Sequence, residues 1–140
     1  MEKINIRNYV PEDISQVIEV QKEYKRKYPN YSIRGAEVYT HHPVFENGKN
    51  ILCAFDNKDS LIAYWFNDVD GITEEVFVLP QWRREGIAQG VIREALVYLK
   101  ECGKLNAELE VKKSNGKARA LYEKMGYEIY KEERSLGIFI

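Results

Sequence analysis

No apolar run in the 140-residue chain approaches the roughly 20 residues that a bilayer-spanning helix needs. The charged opening Met1-Glu-Lys-Ile-Asn-Ile-Arg also lacks the apolar stretch of a secretory signal. A cytoplasmic protein is the resulting expectation. Cysteine is scarce: the two, Cys53 in an apolar segment and Cys102 near a helix end, have neither zinc-ligand spacing nor the density of a disulfide scaffold. Free thiols that pack rather than react are expected, and no metal site is. Neither sign of charge dominates, since 21 basic and 22 acidic residues are mixed along the chain and leave a formal net charge of −1. That balance argues against a nucleic-acid or membrane-surface partner. Internal repeats, linkers and low-complexity tracts are absent, and one domain over residues 1–140 can bury about two-thirds of its unfolded surface without staples.

What the chain does have is concentrated in residues 73–88, which read Thr-Glu-Glu-Val-Phe-Val-Leu-Pro-Gln-Trp-Arg-Arg-Glu-Gly-Ile-Ala. Glu74 and Glu75 precede an apolar strand core, Pro80 ends the ladder for want of an N–H, and Gly86 permits a backbone that other residues resist. The first N–H groups of the following helix have no internal partner and favour an anion such as a pyrophosphate. Arg83 and Arg84 supply charge, and the small Gly86 and Ala88 let an anion approach the backbone. A phosphate-bearing ligand beside a possible base is therefore the first expectation, although a basic helix start can also be only a solvated cap.

In chain order, alternation predicts a first strand over residues 3–7 and a helix opened by Pro11-Glu12-Asp13, with Ile14, Val17, Ile18, Val20 and Gln21 inward. Residues 29–50 are punctuated by proline, glycine and asparagine around a short helical stretch at 36–40. Tyr28, Tyr31, Tyr39, His41, His42 and Phe45 cluster there and either cap the core or form a substrate wall. Strands at 51–55 and 61–67 flank the polar turn Asp56-Asn-Lys-Asp-Ser60 and predict a hairpin, followed by a turn at 68–71 and a third antiparallel strand at 72–79. A helix runs from Ile87 through Leu99 to Gly103. A half-buried strand at 106–112 turns Ala107, Leu109 and Val111 to one face and Glu110 to the other. Ser114 or Asn115 caps a last helix with Ala118, Leu121, Tyr122 and Met125 inward, closed by Gly126. A hairpin from residues 127–133 and 136–140 completes a mixed α/β (α+β) fold.

The segment Arg83-x-x-Gly86-x-Ala88 resembles the acetyl-coenzyme A signature of the Gcn5-related N-acetyltransferases (GNAT), Gln/Arg-x-x-Gly-x-Gly/Ala. Leu109-Glu-Val, followed by Asn115-x-x-Ala118-x-x-Leu121-Tyr122-x-x-x-Gly126-Tyr127, is similar to the family's second element, and the spacing between the two also agrees. Ile6-Arg7 and Asp13 are typical as well, so the likeness covers nearly the whole chain. Arg84, where many members carry glycine, and Ala88, in place of a final glycine, are departures that bear on phosphate contacts.

The resemblance implies a mostly antiparallel sheet of six to seven strands, helices on both faces, and a cleft where the strand ending in Val78 splays from that of Leu109. The pantetheine arm of acetyl-CoA would bond to backbone near Val76 and Val78 as an added strand. Backbone N–H groups of Arg84, Glu85, Gly86, Ile87 and Ala88, after Arg83, would cradle its pyrophosphate, and Asn115 would bond the arm. Tyr122 matches the general acid that protonates the leaving thiolate; its alternative is a core tyrosine. Either Glu74 or Glu110 would be the base, with Glu75, His41, His42 and water behind them. An N-acetyltransferase acting on a primary amine by direct attack is implied, and a non-catalytic acyl-CoA-binding module is the alternative. The acceptor is open, and a homodimer is common among such proteins.

Overall fold

Apolar runs bounded by polar turns dictate the sheet. In the computed structural model, which describes residues 3–27, 29, 51–67, 72–111, 115–129 and 135–139, without the side chains of 67, 72–75, 135 and 139, the strands are β1 (Asn5–Asn8), β2 (Ile51–Phe55), β3 (Leu61–Asn67), β4 (Ile72–Val78), β5 (Asn106–Glu110), β6 (Glu128–Ile129) and β7 (Ser135–Phe139). The helices are α1 (Ile14–Lys27), α2 (Ile87–Glu101) and α3 (Gly116–Lys124), with short 3₁₀ turns at Pro11–Asp13 and Pro80–Trp82. The expected helical stretch at 36–40, the turn at 68–71 and the cap candidate Ser114 lie outside the described residues.

Among the described residues the seven strands form one sheet in the order β1-β2-β3-β4-β5-β7-β6. Every pairing is antiparallel except β4 with β5. The β2–β3 turn is locked by Asp56, whose Oδ1 accepts the N–H groups of Lys58 at 2.9 Å and Ser60 at 3.0 Å. That local alternative to a ladder bond is what aspartate supplies in a turn.

The two faces of β2 and β3 are buried separately, as alternation requires. Ile51, Cys53, Phe55, Tyr64, Phe66 and Phe77 pack with Val17 and Tyr24 of α1. Leu52, Ala54, Ile62, Ala63 and Trp65 pack under Ile87, Val91, Ala95 and Leu99 of α2. Leu109, Val111 and Leu136 continue that second layer beneath Leu121, Tyr122 and Met125 of α3. Helices thus cover both faces, and each Phe- or Leu-sized side chain removed from water contributes about 1.5–3 kcal/mol.

Helix α1 begins three residues later than its proline suggests, because Pro11–Asp13 form a 3₁₀ turn. Asp13, only 4% exposed, accepts the N–H of Val10 at 2.9 Å and both arms of the Arg7 guanidinium at 2.8 and 2.9 Å. Burial opposes its charge, but the Arg7 and Val10 bonds outweigh it and hold the carboxyl below the ordinary aspartate value. A side chain expected only to favour the helix end is therefore also the anchor of β1.

Candidate active site

The open feature of the sheet lies between β4 and β5. Their parallel pairing holds only at Ile72↔Glu108 and Thr73↔Leu109. Beyond it β4 runs on to Val78 and β5 to Glu110 without a shared ladder. On its other side β4 stays paired, with Val76 opposite Trp65 and Val78 opposite Ala63. One edge of β4 at Val76 and Val78 is thus freed from its neighbour strand.

A β-bulge sits where the strands part. Glu75 stands opposite Phe66 and Thr73 opposite Asn67, so Glu74 is an extra residue in β4. Such an insertion bends the strand and raises its twist. It also breaks the two-residue alternation that in a regular strand would put residue 74 on one face with Val76 and Val78. The side chains of Glu74 and Glu75, like His41 and His42 as a whole, lie outside the described residues. Glu110 is exposed at the end of β5, while Ala107 and Leu109 are buried, as expected from the sequence.

Past Val78 the chain makes the Pro80–Trp82 turn, with Trp82 N–H on the Leu79 carbonyl at 2.9 Å and Arg83 N–H on that of Pro80 at 3.2 Å. Two left-handed residues follow: Arg84 at φ 68° and Gly86 at φ 77°. Gly86 is the N-cap of α2, its carbonyl accepts the Gly90 N–H at 3.1 Å, and no side chain caps the helix. A Cβ on Gly86 would meet no atom within 4 Å, so the backbone angle alone calls for glycine there. Glycine has no side chain to cap the first-turn N–H groups of Ile87, Ala88 and Gln89, which lie beside exposed Arg84 and Glu85. This is an arrangement that suits an anion.

Arg83, expected to supply charge to a phosphate, also bonds within the chain. Its Nε–H donates to the Val78 carbonyl at 3.0 Å and its Nη2 to the Tyr24 hydroxyl at 3.1 Å. Tyr24 was not singled out from the sequence. The available signal was its place on the α1 stripe of Val17 and Gln21, and all three are buried.

On the far side of the opening, Asn115 caps α3, accepting the Ala118 N–H on its Oδ1 at 3.2 Å. Tyr122 of the same helix is half-buried. Its carbonyl receives the Tyr127 N–H at 3.0 Å, and the two rings meet edge-on with centroids 5.4 Å apart. That bond belongs to a cap built on Gly126 at φ 102°, where a Cβ would also press within 3.2 Å of Ile138 Cδ1. Burial, with the neighbouring Tyr122, pushes the Tyr127 phenol far up, so Tyr127 stays protonated. Among the described residues no cluster of His, Cys, Asp and Glu could hold a metal ion, and no helix is long and apolar enough to cross a membrane.

This sheet, parted at its one parallel seam and followed by an uncapped helix, has known counterparts. The family description "Acetyltransferase (GNAT) family" matches residues 17–127. The chain belongs to that family and is an acetyltransferase by membership. Among its relatives is an uncharacterised N-acetyltransferase of Bacillus subtilis (strain 168), YhfO, 26% identical over 135 residues that cover 89% of this chain and 90% of the relative. The solved structure of the NatC complex bound to Gag peptide and CoA superposes with a TM-score of 0.77 at 17% identity, covering 99% of both chains. PaiA N-acetyltransferase of Thermoplasma acidophilum, in complex with coenzyme A, gives a TM-score of 0.67 at 21% identity over 96% of each chain. At those identities the two structures support the fold.

Proposed function

We propose that the chain moves the acetyl group of acetyl-CoA to a primary amine by direct attack. The observation that carries this is the parting of β4 from β5 beyond Thr73 and Leu109, with an uncapped helix start following the freed strand. A peptide-like arm can add to that edge as a strand would, at Val76 and Val78. Its phosphates then reach the turn formed by Arg84, Glu85, Gly86, Ile87 and Ala88, and Asn115 closes the arm from the other side. PaiA, solved with coenzyme A, supports the choice of ligand.

In this reading a carboxylate, Glu74 or Glu110, takes the proton that keeps an ammonium ion inert. The amine nitrogen then bonds to the acetyl carbon, the carbon–sulfur bond breaks, and Tyr122 gives its proton to the thiolate. A phenol of pKa about 10 is well matched to a thiolate of similar basicity. Glu74 is the extra residue of the β4 bulge and follows the last residue of β4 that pairs with β5, and bulges are frequent beside active sites. No covalent acetyl-enzyme is needed: Cys53 is fully buried with its thiol pushed up to about 12 by burial and by nearby Asp13, and Cys102 lies exposed at the end of α2.

The acceptor side is assigned to the segment between Tyr24 and Phe45 and to the final hairpin. The Gag peptide in the NatC complex keeps a peptide amine among the acceptor classes, with polyamines, amino acids and aminoglycosides beside it. The test is release of the coenzyme A thiol from acetyl-CoA across a panel of these amines. Uptake of acetyl-CoA with no release on any of them would mark a binding module instead. Once an acceptor is found, Glu74→Gln and Glu110→Gln are compared, and the variant that loses the acidic limb of the pH–rate profile identifies the base.

A further inference from the structure

Arg83 opens the family signature, yet its guanidinium is held by the protein itself. Leu79 donates its N–H to Ile62 at 2.9 Å, and Val78 stands opposite Ala63. In an antiparallel ladder successive residues turn their N–H and C=O groups to alternate sides. Val76 and Val78 therefore turn theirs away from β3, toward the side on which β5 has parted. The Val78 carbonyl on that free edge is the group that Arg83 Nε–H reaches at 3.0 Å.

The other arm of the fork is fixed too. Nη2 bonds to the Tyr24 hydroxyl at 3.1 Å, and the guanidinium carbon lies 5.5 Å from the Tyr24 ring centroid. Tyr24 is 7% exposed and meets Phe77 edge-on at 5.0 Å. Phe77 in turn stacks on Tyr64 at 5.2 Å, whose hydroxyl accepts the Gln21 amide at 3.1 Å. Arg83 is thus tied to α1, β4 and β3 through one continuous set of contacts.

We infer that Arg83 is a positioning residue: supported by Tyr24, it occupies the Val78 carbonyl and so sets which backbone groups of β4 remain for the cofactor arm, and it does not bind phosphate. The edge left to a peptide-like arm is then the N–H and C=O of Val76 and the N–H of Val78. With Arg83 Nε–H on the Val78 carbonyl, an arm that slid toward the turn would have to share that acceptor, which disfavours the shifted register. Register in strand addition is set by the groups on offer. The inference rests on the acetyl-CoA reading above and gives its arginine a different task from charge supply.

Two measurements test it. Binding is measured by calorimetry with acetyl-CoA and with the nucleotide half of coenzyme A, which carries the phosphates but no pantetheine arm. Arg83→Gln should weaken acetyl-CoA by about fivefold or more, because the arm loses its fixed register on β4, and leave the nucleotide half within about twofold. Tyr24→Phe, which keeps the ring and loses the acceptor, should move the two affinities in the same direction, and the double variant should be no worse than Arg83→Gln. Equal weakening toward both ligands, or additive effects in the double variant, overturns the assignment. A wild-type chain that binds neither ligand sinks the acetyl-CoA reading and this one with it. Without any ligand, the Arg83 Nε–H signal of the nitrogen-labelled protein should exchange slowly with water, and about tenfold faster in Tyr24→Phe. Rapid exchange in the wild type, or no change in the variant, also refutes the tie.

Discussion

Replacing Arg84 by glycine should stabilise the fold and weaken acetyl-CoA binding in the same variant. Arg84 holds φ at 68°, a region that costs a residue with a Cβ about 1–2 kcal/mol. Glycine removes that cost but gives back about 0.4–1 kcal/mol through the freer unfolded chain. The expected net gain is about 0.5–1 kcal/mol, or roughly 2–4 °C in Tm for a chain of this size. The lost charge acts oppositely: a screened, exposed contact with phosphate is worth about 0.5–1 kcal/mol, a two- to fivefold loss of affinity at low salt. Arg84→Ala separates the two terms, since alanine keeps the strained angle and removes the charge. Urea unfolding and calorimetry with acetyl-CoA should show both variants losing affinity and only the glycine variant gaining stability. Equal stability of the glycine and alanine variants would refute the strain argument. Unchanged affinity in both would refute the charge argument.

Arg7→Gln should cost about 2 kcal/mol near neutral pH, because it strips a partner from nearly buried Asp13, and the half-exposed arginine keeps the loss below that of a fully buried pair. The folded Asp13 is held below its ordinary value. The stability it contributes is therefore complete above about pH 4, its unfolded range, and is lost as pH falls through the lowered folded value. The penalty of Arg7→Gln in urea unfolding should shrink over that same window; a penalty that grows toward acid contradicts the pairing. Tyr122→Phe should lower turnover by about 100-fold or more with acetyl-CoA affinity nearly unchanged, as loss of a general acid does; unaltered turnover removes Tyr122 from the mechanism. In a thiol titration of the native chain Cys102 should react quickly and Cys53 only after unfolding, since Cys53 is buried and Cys102 exposed. Rapid reaction of both would show that the β2 core opens.

The strands β2 and β3 were legible residue for residue, because residues 51–55 and 61–66 are unbroken apolar runs between polar turns. The cap at Gly126 was legible for a similar reason, a local backbone requirement met by a local residue type, while the N-cap of α3 was narrowed to Ser114 or Asn115 and is Asn115. Register was not legible. The bulge at Glu74 exists only in the pairing of β4 with β3, and nothing in the order of residues 73–76 announces it. The bond from Arg83 to Tyr24 spans 59 positions, so no local pattern around the signature could show it. The left-handed angle at Arg84 is hidden by a residue that rarely adopts it. The cysteines divide likewise, for Cys53 packs as expected while Cys102 is exposed, its helix end turned outward.

The central claim is that the opening between β4 and β5 takes acetyl-CoA along the freed edge of β4. Titration of acetyl-CoA into the nitrogen-labelled chain, followed by backbone amide shifts, tests it most directly. The amides of Val76 and Val78 and those of Arg84, Glu85, Gly86, Ile87 and Ala88 should shift together and saturate together, with β1 at the far edge of the sheet unmoved. Saturating acetyl-CoA that leaves those seven amides in place, or shifts a different face of the sheet, would contradict the account.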